Sequence, residues 1–149
     1  MAEPELHYYC APDGDLPVDL PVEFHSVQDF LADEPACKAL WDLIGTSFRT
    51  RSKFLTVWPG VRYVALHRGP GGSVDGLLLV TAPINWQVDY VVVRPEARGR
   101  GIAGDLVRAT LNEAHARKVP YVMLTSREDL RPLYEGCGFT VVSSPALVG

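Results

Sequence analysis

The sequence has no apolar run approaching the roughly eighteen residues that a membrane-spanning helix requires. Its opening, MAEPELHYYC, carries neither a basic leader nor an apolar stretch of signal-peptide length, which leads us to expect a cytoplasmic protein with no membrane partner. Cysteine is scarce. Cys10, Cys37 and Cys137 are odd in number, far apart and without a C-x-x-C pair, which argues against a disulfide framework and a thiolate metal site and predicts three free thiols. The four histidines, His7, His25, His67 and His115, are spaced too widely for an H-E-x-x-H site or half a zinc finger, so no metal is expected. Positive charge is not in excess either. A net charge of −4 and a pI near 5.5 provide no basic face for a phosphate backbone, so no nucleic acid is expected as a partner, whereas a cationic amine meets less resistance. Repeats, low-complexity tracts and linkers are also missing, and residues 1–149 read as one domain.

What the chain does have is 47% hydrophobic residues, enough for one sizeable core at this length. LHYYC (6–10) reads as a first strand, and the proline-rich APDGDLPVDLP after it can sustain neither a helix nor a central strand. SVQDFLADEP offers a serine N-cap at Ser26 and ends at Pro35. ACKALWDLIGTSF then places Ala36, Leu40, Leu43, Ile44 and Phe48 near helical spacing, which gives two short helices. RYVALHR (62–68) and SVDGLLLVTAP (73–83) are apolar runs joined by GPGG, a hairpin turn and not a phosphate loop, because no Lys-Ser/Thr follows it. NWQVDYVVV (85–93) is a third long strand. Residues 101–118 form the clearest helix, with Ile102, Ala103, Leu106, Val107, Thr110, Leu111 and Ala114 on one stripe and Asp105, Arg108, Asn112 and Arg117 outside it. YVMLT (121–125) follows as a short buried strand, and the strand, helix, strand order implies a parallel pair joined by a right-handed crossover. Residues 129–136 read as a helix opened by Ser126 or Asp129 and closed by Gly136 and Gly138, with FTVV (139–142) as a last strand. The fold class is α/β with a mixed sheet.

Chemistry concentrates in VVVRPEARGRGIAG (91–104). GRGIAG fits the G-x-G-x-x-G pattern of dinucleotide loops, and Glu128 and Asp129 lie about where such folds hold a ribose. However, RPEAR separates Val93 from Gly99 and moves the glycines off the strand end onto the helix N-terminus, and the chain has no second βαβ half. A helix N-terminus carries unpaired N–H groups and about half a positive charge, and glycines at 99 and 101 let an anion approach the backbone without meeting a Cβ.

The whole arrangement V-R-P-E-A-R-G-R-G-I-A, containing R-x-x-G-x-A from Arg98 to Ala103, is joined downstream to LYEGCGF (133–139). It resembles the GNAT superfamily of acyl-CoA-dependent N-acyltransferases, whose signature is Q/R-x-x-G-x-G/A after a strand ending in V-x-P, with a Y-x-x-x-G-F segment one strand later. The matching motifs cover residues 86–142. The resemblance implies an α/β (α+β) fold with a mixed, mostly antiparallel central sheet, one splayed parallel strand pair and helices on both faces. It implies acetyl-CoA as cofactor, with Arg98, Gly99, Arg100, Gly101, Ile102, Ala103 and Gly104 on its pyrophosphate and the backbone of Val91, Val92 and Val93 along its pantetheine arm. It also implies direct transfer in a ternary complex. Tyr134 stands four residues before Gly138, as the family's tyrosine stands before its G-F, and would protonate the departing thiolate and recover a proton from the amine. An amide of Val92 or Val93 would meet the oxyanion.

A lysine-like amine, with a pKa near 10, must lose a proton before it attacks. If alternation holds through strand 85–93, Gln87 and Asp89 share a face with Val91 and Val93. Gln87 stands about where histone-modifying members carry a glutamate, and a glutamine cannot be a base, so it is a candidate acceptor contact, and Asp89, acting through water, is the candidate base. GTSFRTRSKFLTVWPG is taken as a connection that shapes the acceptor pocket, with Arg49 and Arg51 offered to an acceptor carboxylate or phosphate. Cys137 is assigned to helix packing and not to nucleophilic chemistry. The expected activity is acetyl transfer to a primary amine of a small molecule. The alternatives are a protein N-terminal or lysine acetyltransferase and a non-catalytic acyl-CoA-binding sensor. Because the sequence ends seven residues past Val142, the family's final strand is expected to be short, absent or supplied by a second subunit, which leaves a homodimer open.

Overall fold

The structure is a computed structural model that describes residues 5–14, 16–17, 19–47, 51–82 and 85–143. Its strands are β1 (Glu5–Cys10), β2 (Val22–Ser26), β3 (Val61–Arg68), β4 (Val74–Thr81), β5 (Trp86–Val93), β6 (Val122–Arg127) and β7 (Thr140–Ser143). The helices are α1 (Val27–Leu31), α2 (Glu34–Ser47), α3 (Arg51–Val57), α4 (Ile102–Ala116) and α5 (Arg131–Gly136). The strands form one sheet in the order β2-β3-β4-β5-β6-β1-β7, in which, among the described residues, only β5 and β6 run parallel. This is the mixed, mostly antiparallel sheet expected, with helices on both faces.

β4 explains why there are two cores. Its run of consecutive apolar residues is buried on both sides, as a central strand covered on both faces must be. Leu78 and Val80 face α4 and pack with Leu106, Val107 and Leu111. Leu77 and Leu79 face the other way, onto Leu40, Leu43 and Ile44 of α2 and Phe54 of α3. The apolar stripe assigned to α4 is the face it buries, with Ala103 only half-buried.

Several sequence expectations need correction. Pro35 does not end the first helix; α1 stops at Leu31, and Pro35 sits in the first turn of α2, where a missing N–H costs nothing. The stretch taken as an open connection after α2 contains α3, held by Phe54, which is fully buried against Trp41, Trp58 and Tyr90. α5 is opened by neither Ser126 nor Asp129: Glu128–Leu130 forms a 3₁₀ turn, the helix starts at Arg131, and no side chain caps it. β1 lies between β6 and β7 and pairs antiparallel with both, whereas residues 144–149, where a further strand would lie, are outside the described residues.

α4 packs closely on β4 because Gly76 has no side chain. A Cβ there would stand 2.8 Å from Ile102 Cγ2 and 3.1 Å from Leu106 Cδ1, inside van der Waals contact. Gly76→Ala is therefore expected to overpack this contact and cost about 1–3 kcal/mol. Urea unfolding should show the loss, together with a fall in Tm of several degrees, at roughly 2–4 °C per kcal/mol for a domain of this size.

Candidate active site

The centre of the site is a bulge in β5. Leu79 pairs with Tyr90 and Val80 with Val88, which leaves Asp89 as an extra residue without a partner in the β4–β5 ladder. Its effect is visible in the packing. Trp86 and Val88 belong to the core under α4, Tyr90 and Val92 belong to the core under α2 and α3, and Val91 and Val93 lean on the α4 core. The strand has therefore turned over in its middle. The expectation that Gln87 and Asp89 share a face with Val91 and Val93 fails for this reason: the bulge breaks the alternation, leaving Gln87 and Asp89 on the α2 side and the two valines on the α4 side.

The bulge is also where β5 and β6 part. Only Trp86 with Val122 and Gln87 with Met123 pair in parallel, and beyond them β5 runs on to Val93 without β6 beside it. Between the separated strands lies a cleft of about 140 Å³, lined by Val88 to Val91 on β5, Leu124 to Ser126 on β6, Leu130 and Tyr134. Asp89 and Tyr134 are thus brought to one cleft. The Thr81 hydroxyl donates to Asp89 Oδ2 at 2.7 Å. Burial pushes the Asp89 carboxyl above its usual range, and the Thr81 bond only partly opposes this.

Tyr134 is fixed from several sides. Its carbonyl accepts from the N–H groups of Cys137 (3.1 Å) and Phe139 (3.0 Å), the second made possible by the turn at Gly138, φ +102°. Its ring stands 6.0 Å from that of Phe139 and 5.4 Å from that of Tyr8 on β1. Burial pushes its phenol up to about 12, with the Ser126 hydroxyl acting in the opposite direction, so near neutral pH it is a protonated donor. Cys137 is buried and its thiol is pushed up by that burial, consistent with packing and opposed to nucleophilic use.

Beyond the end of β5, α4 starts without a side-chain cap. Gly101 takes its N-cap position at φ +77°, ψ 13°, a conformation glycine adopts without strain, and the helical ladder begins with the Asp105 N–H donating to the Gly101 carbonyl at 3.0 Å. The N–H groups from Gly101 to Gly104 have no acceptor within the helix. A Cβ built on Gly99 or Gly101 would meet nothing within 4 Å, so the space over these amides is open to an incoming group. Bare amides, a helix dipole and open approach make a donor set that fits a diphosphate. Arg100 is exposed beside them; Arg98 is exposed but folds back, its Nε donating to the Val93 carbonyl at 3.2 Å.

The remaining sequence-named residues are less engaged. Gln87 is half-buried, and its amide makes only a long contact, 3.5 Å, with the Val88 carbonyl. Arg51 opens α3, and Arg49 lies outside the described residues. No group of three or more His, Cys, Asp and Glu side chains suited to a metal occurs among the described residues, and no described helix is long and apolar enough to cross a membrane. Sequence reasoning missed Thr81, Ser126 and Tyr8. Each reaches the cleft or a residue on its wall through strand pairing, and no local pattern marks them.

Residues 59–141, more than half of the chain, match the model of the acetyltransferase (GNAT) domain family. No curated protein matches the sequence. Among solved structures, the fold is similar to a GCN5-related N-acetyltransferase from Sphaerobacter thermophilus, at 19% identity and TM-score 0.67, covering 94% of this chain and 49% of that one. It is likewise similar to a GNAT-family acetyltransferase from Colwellia psychrerythraea (12% identity, TM-score 0.67, 95% and 53%). A third, from Elizabethkingia anophelis, was solved with acetyl-CoA bound (12%, TM-score 0.66, 83% and 78%). The chain spans about half the length of the first two. The family match, the single splayed parallel pair and the uncapped glycine-rich start of α4 agree, and the chain belongs to the GNAT acetyltransferase family.

Proposed function

We propose that this protein transfers the acetyl group of acetyl-CoA, the acyl donor of its family, to a primary amine of a small molecule by direct attack. The two-rung parallel ladder between β5 and β6 carries this reading, because it leaves a cleft with Tyr134 on its wall, while the chain leaving β5 goes on to the bare amides of α4. Acetyl-CoA bound there supplies a thioester carbonyl to the amine. The N–H groups of Gly99 to Gly104 receive the diphosphate, with the Arg100 charge beside it and Arg98 steadying the end of β5. The unpaired edge of Val91, Val92 and Val93 takes the pantetheine arm, and an amide of Val92 or Val93 meets the developing oxyanion. Tyr134 protonates the leaving sulfur. Asp89 accepts the ammonium proton through water. The bulge turns Asp89 toward the α2 face, so the amine approaches from that side of the sheet. The small cleft and the amide of Gln87, which is not a carboxylate, favour a slender amine over a histone-type lysine. Arg49 and Arg51, on sequence grounds, remain the candidate contacts for an anionic group on the acceptor.

Thiol release from acetyl-CoA, followed against panels of small amines and of peptides, tests the function. Turnover with an amine and not with peptides supports it, preference for peptides replaces the acceptor class, and binding without any turnover leaves a sensor. Gly101→Val should weaken acetyl-CoA binding in titration calorimetry by at least about tenfold, near 1.4 kcal/mol, because it adds bulk above the amides and strains the N-cap. Tyr134→Phe should lower kcat by about 10²-fold with little change in the KM for acetyl-CoA, and full kcat would remove it as proton donor.

Asp89 gives a pH prediction. Its native carboxyl titrates above the ordinary 3.8, so between the two values the native state holds more protons than the unfolded state, and stability falls as pH rises through that window. Asp89→Asn should then be at least as stable as the wild type near neutral pH, while kcat drops and the acid limb of the rate profile disappears. A destabilised variant with unchanged kcat contradicts the assignment.

A further inference from the structure

The hydroxyl of Tyr8 is out of place in a well-paired core. Tyr8 sits in the middle of β1, opposite Leu124 on one side and Val141 on the other, and is 1% exposed. Its Oη is buried and has no hydrogen-bond partner among the described residues. Phenylalanine would fill nearly the same volume without stranding a polar atom, and a stranded hydroxyl is a cost that ring packing does not offset. Native structures satisfy most buried polar groups, and an exception calls for an explanation. Here the neighbour suggests one. The Tyr8 ring stands 5.4 Å from the ring of Tyr134, tilted by 52°, and Tyr134 lines the cleft. The charged groups that act on the Tyr8 phenol, Arg131, Glu135 and Glu128, have mixed signs, and burial raises the phenol from its ordinary value, so near neutral pH it keeps its proton and is able to donate it in a hydrogen bond.

We propose that Tyr8 is a positioning residue for acetyl transfer: its ring holds the Tyr134 ring, and its hydroxyl donates to the Tyr134 oxygen once that oxygen has released its proton. The proposal rests on Tyr134 being the proton donor to the leaving sulfur. As the C–N bond forms and the C–S bond breaks, the electron pair goes to sulfur, which takes the phenolic proton of Tyr134. The phenolate left behind is neutralised by a proton from the amine nitrogen. Between these two transfers a negative charge stands in a buried site. The hydroxyl of Tyr8, committed to no acceptor in the resting protein, strengthens its interaction only while that charge exists, which is the kind of contact that raises kcat without tightening substrate binding. β1 lies outside the 59–141 family match, so this contact comes from a part of the chain that the family's sequence pattern does not reach.

The test uses the full chain as wild type, Tyr8→Phe, Tyr134→Phe and the double variant, assayed with acetyl-CoA and the amine giving the highest wild-type turnover. Tyr8→Phe should lower kcat about tenfold. Its KM for acetyl-CoA should be unchanged, and its unliganded Tm equal to or above that of the wild type, because an unpaired buried hydroxyl has gone. In the Tyr134→Phe background the same substitution should change kcat less than about twofold, since the phenolate it serves no longer forms. Unchanged kcat, an equal fall in both backgrounds, or a lower Tm for Tyr8→Phe overturns the proposal. A wild type without transferase activity, or a Tyr134→Phe variant with full kcat, removes the reading beneath it as well. An impaired Tyr134→Phe beside an unimpaired Tyr8→Phe removes the role of Tyr8 alone.

Discussion

Asp89 has no partner across the β4–β5 ladder, and the extra residue it inserts turns β5 over in mid-strand. Bulges bend a strand and increase its local twist. β5 bends at the point where its parallel pairing with β6 ends, and the cleft opens there. The same residue assigns the side chains to their faces. Val88 and Val91 both lean toward α4 although three positions separate them, while Tyr90 turns to the α2 and α3 core. A regular strand would have put Asp89 and Val91 on one side. Everything at the site, from the open backbone edge of Val91 to Val93 to the placement of a carboxylate opposite α4, depends on that one irregularity.

A strand whose neighbour leaves it needs support from the other side, since an unpaired edge beside a cleft is free to move or to pair wrongly. β1 supplies that support. It pairs with β6 over six consecutive residues, from Glu5 with Arg127 to Cys10 with Val122, including the upper part that β5 has abandoned. Its buried face, Leu6, Tyr8 and Cys10, joins the same core as Tyr134, Cys137 and Phe139. β1 therefore holds one wall of the cleft in place and also seats the short helix that carries Tyr134. With only six residues, α5 has little stability of its own, so the position of its tyrosine is set by what it packs against.

The sequence was legible where structure is local. The stripe of α4, the turn before β4, the strand from 85 to 93 and the glycine-opened helix start follow from spacings within a few residues, and the structure has each of them close to the expected limits. It was misleading where one element depends on another. The bulge at Asp89 exists only relative to β4, since two residues on one strand must face one on its neighbour, and WQVDYVVV by itself reads as regular alternation. α3 was hidden because its polar residues outnumber its apolar ones, and Phe54 stabilises it through contacts with Trp41, Trp58 and Tyr90. The position of β1 could not be read at all. Its partners lie more than a hundred residues downstream, and no periodicity within LHYYC says which strand it joins.

This division between local and long-range order also separates the two halves of the chemistry. The bare amides at the start of α4 come from one contiguous segment, residues 98–104, and a local sequence pattern is enough to announce them. The side chains lining or flanking the cleft instead come singly from β1, β4, β5, β6 and α5. No short pattern can encode such a set, because each member is specified by strand order and register. The family match begins at Pro59 and so includes the donor loop and Tyr134 but neither β1 nor the helices on the α2 face. In a fold built this way, the glycine-opened helix and the splayed strand follow from the shared segment, while the surroundings of the cleft are open to change through the first third of the chain without disturbing them.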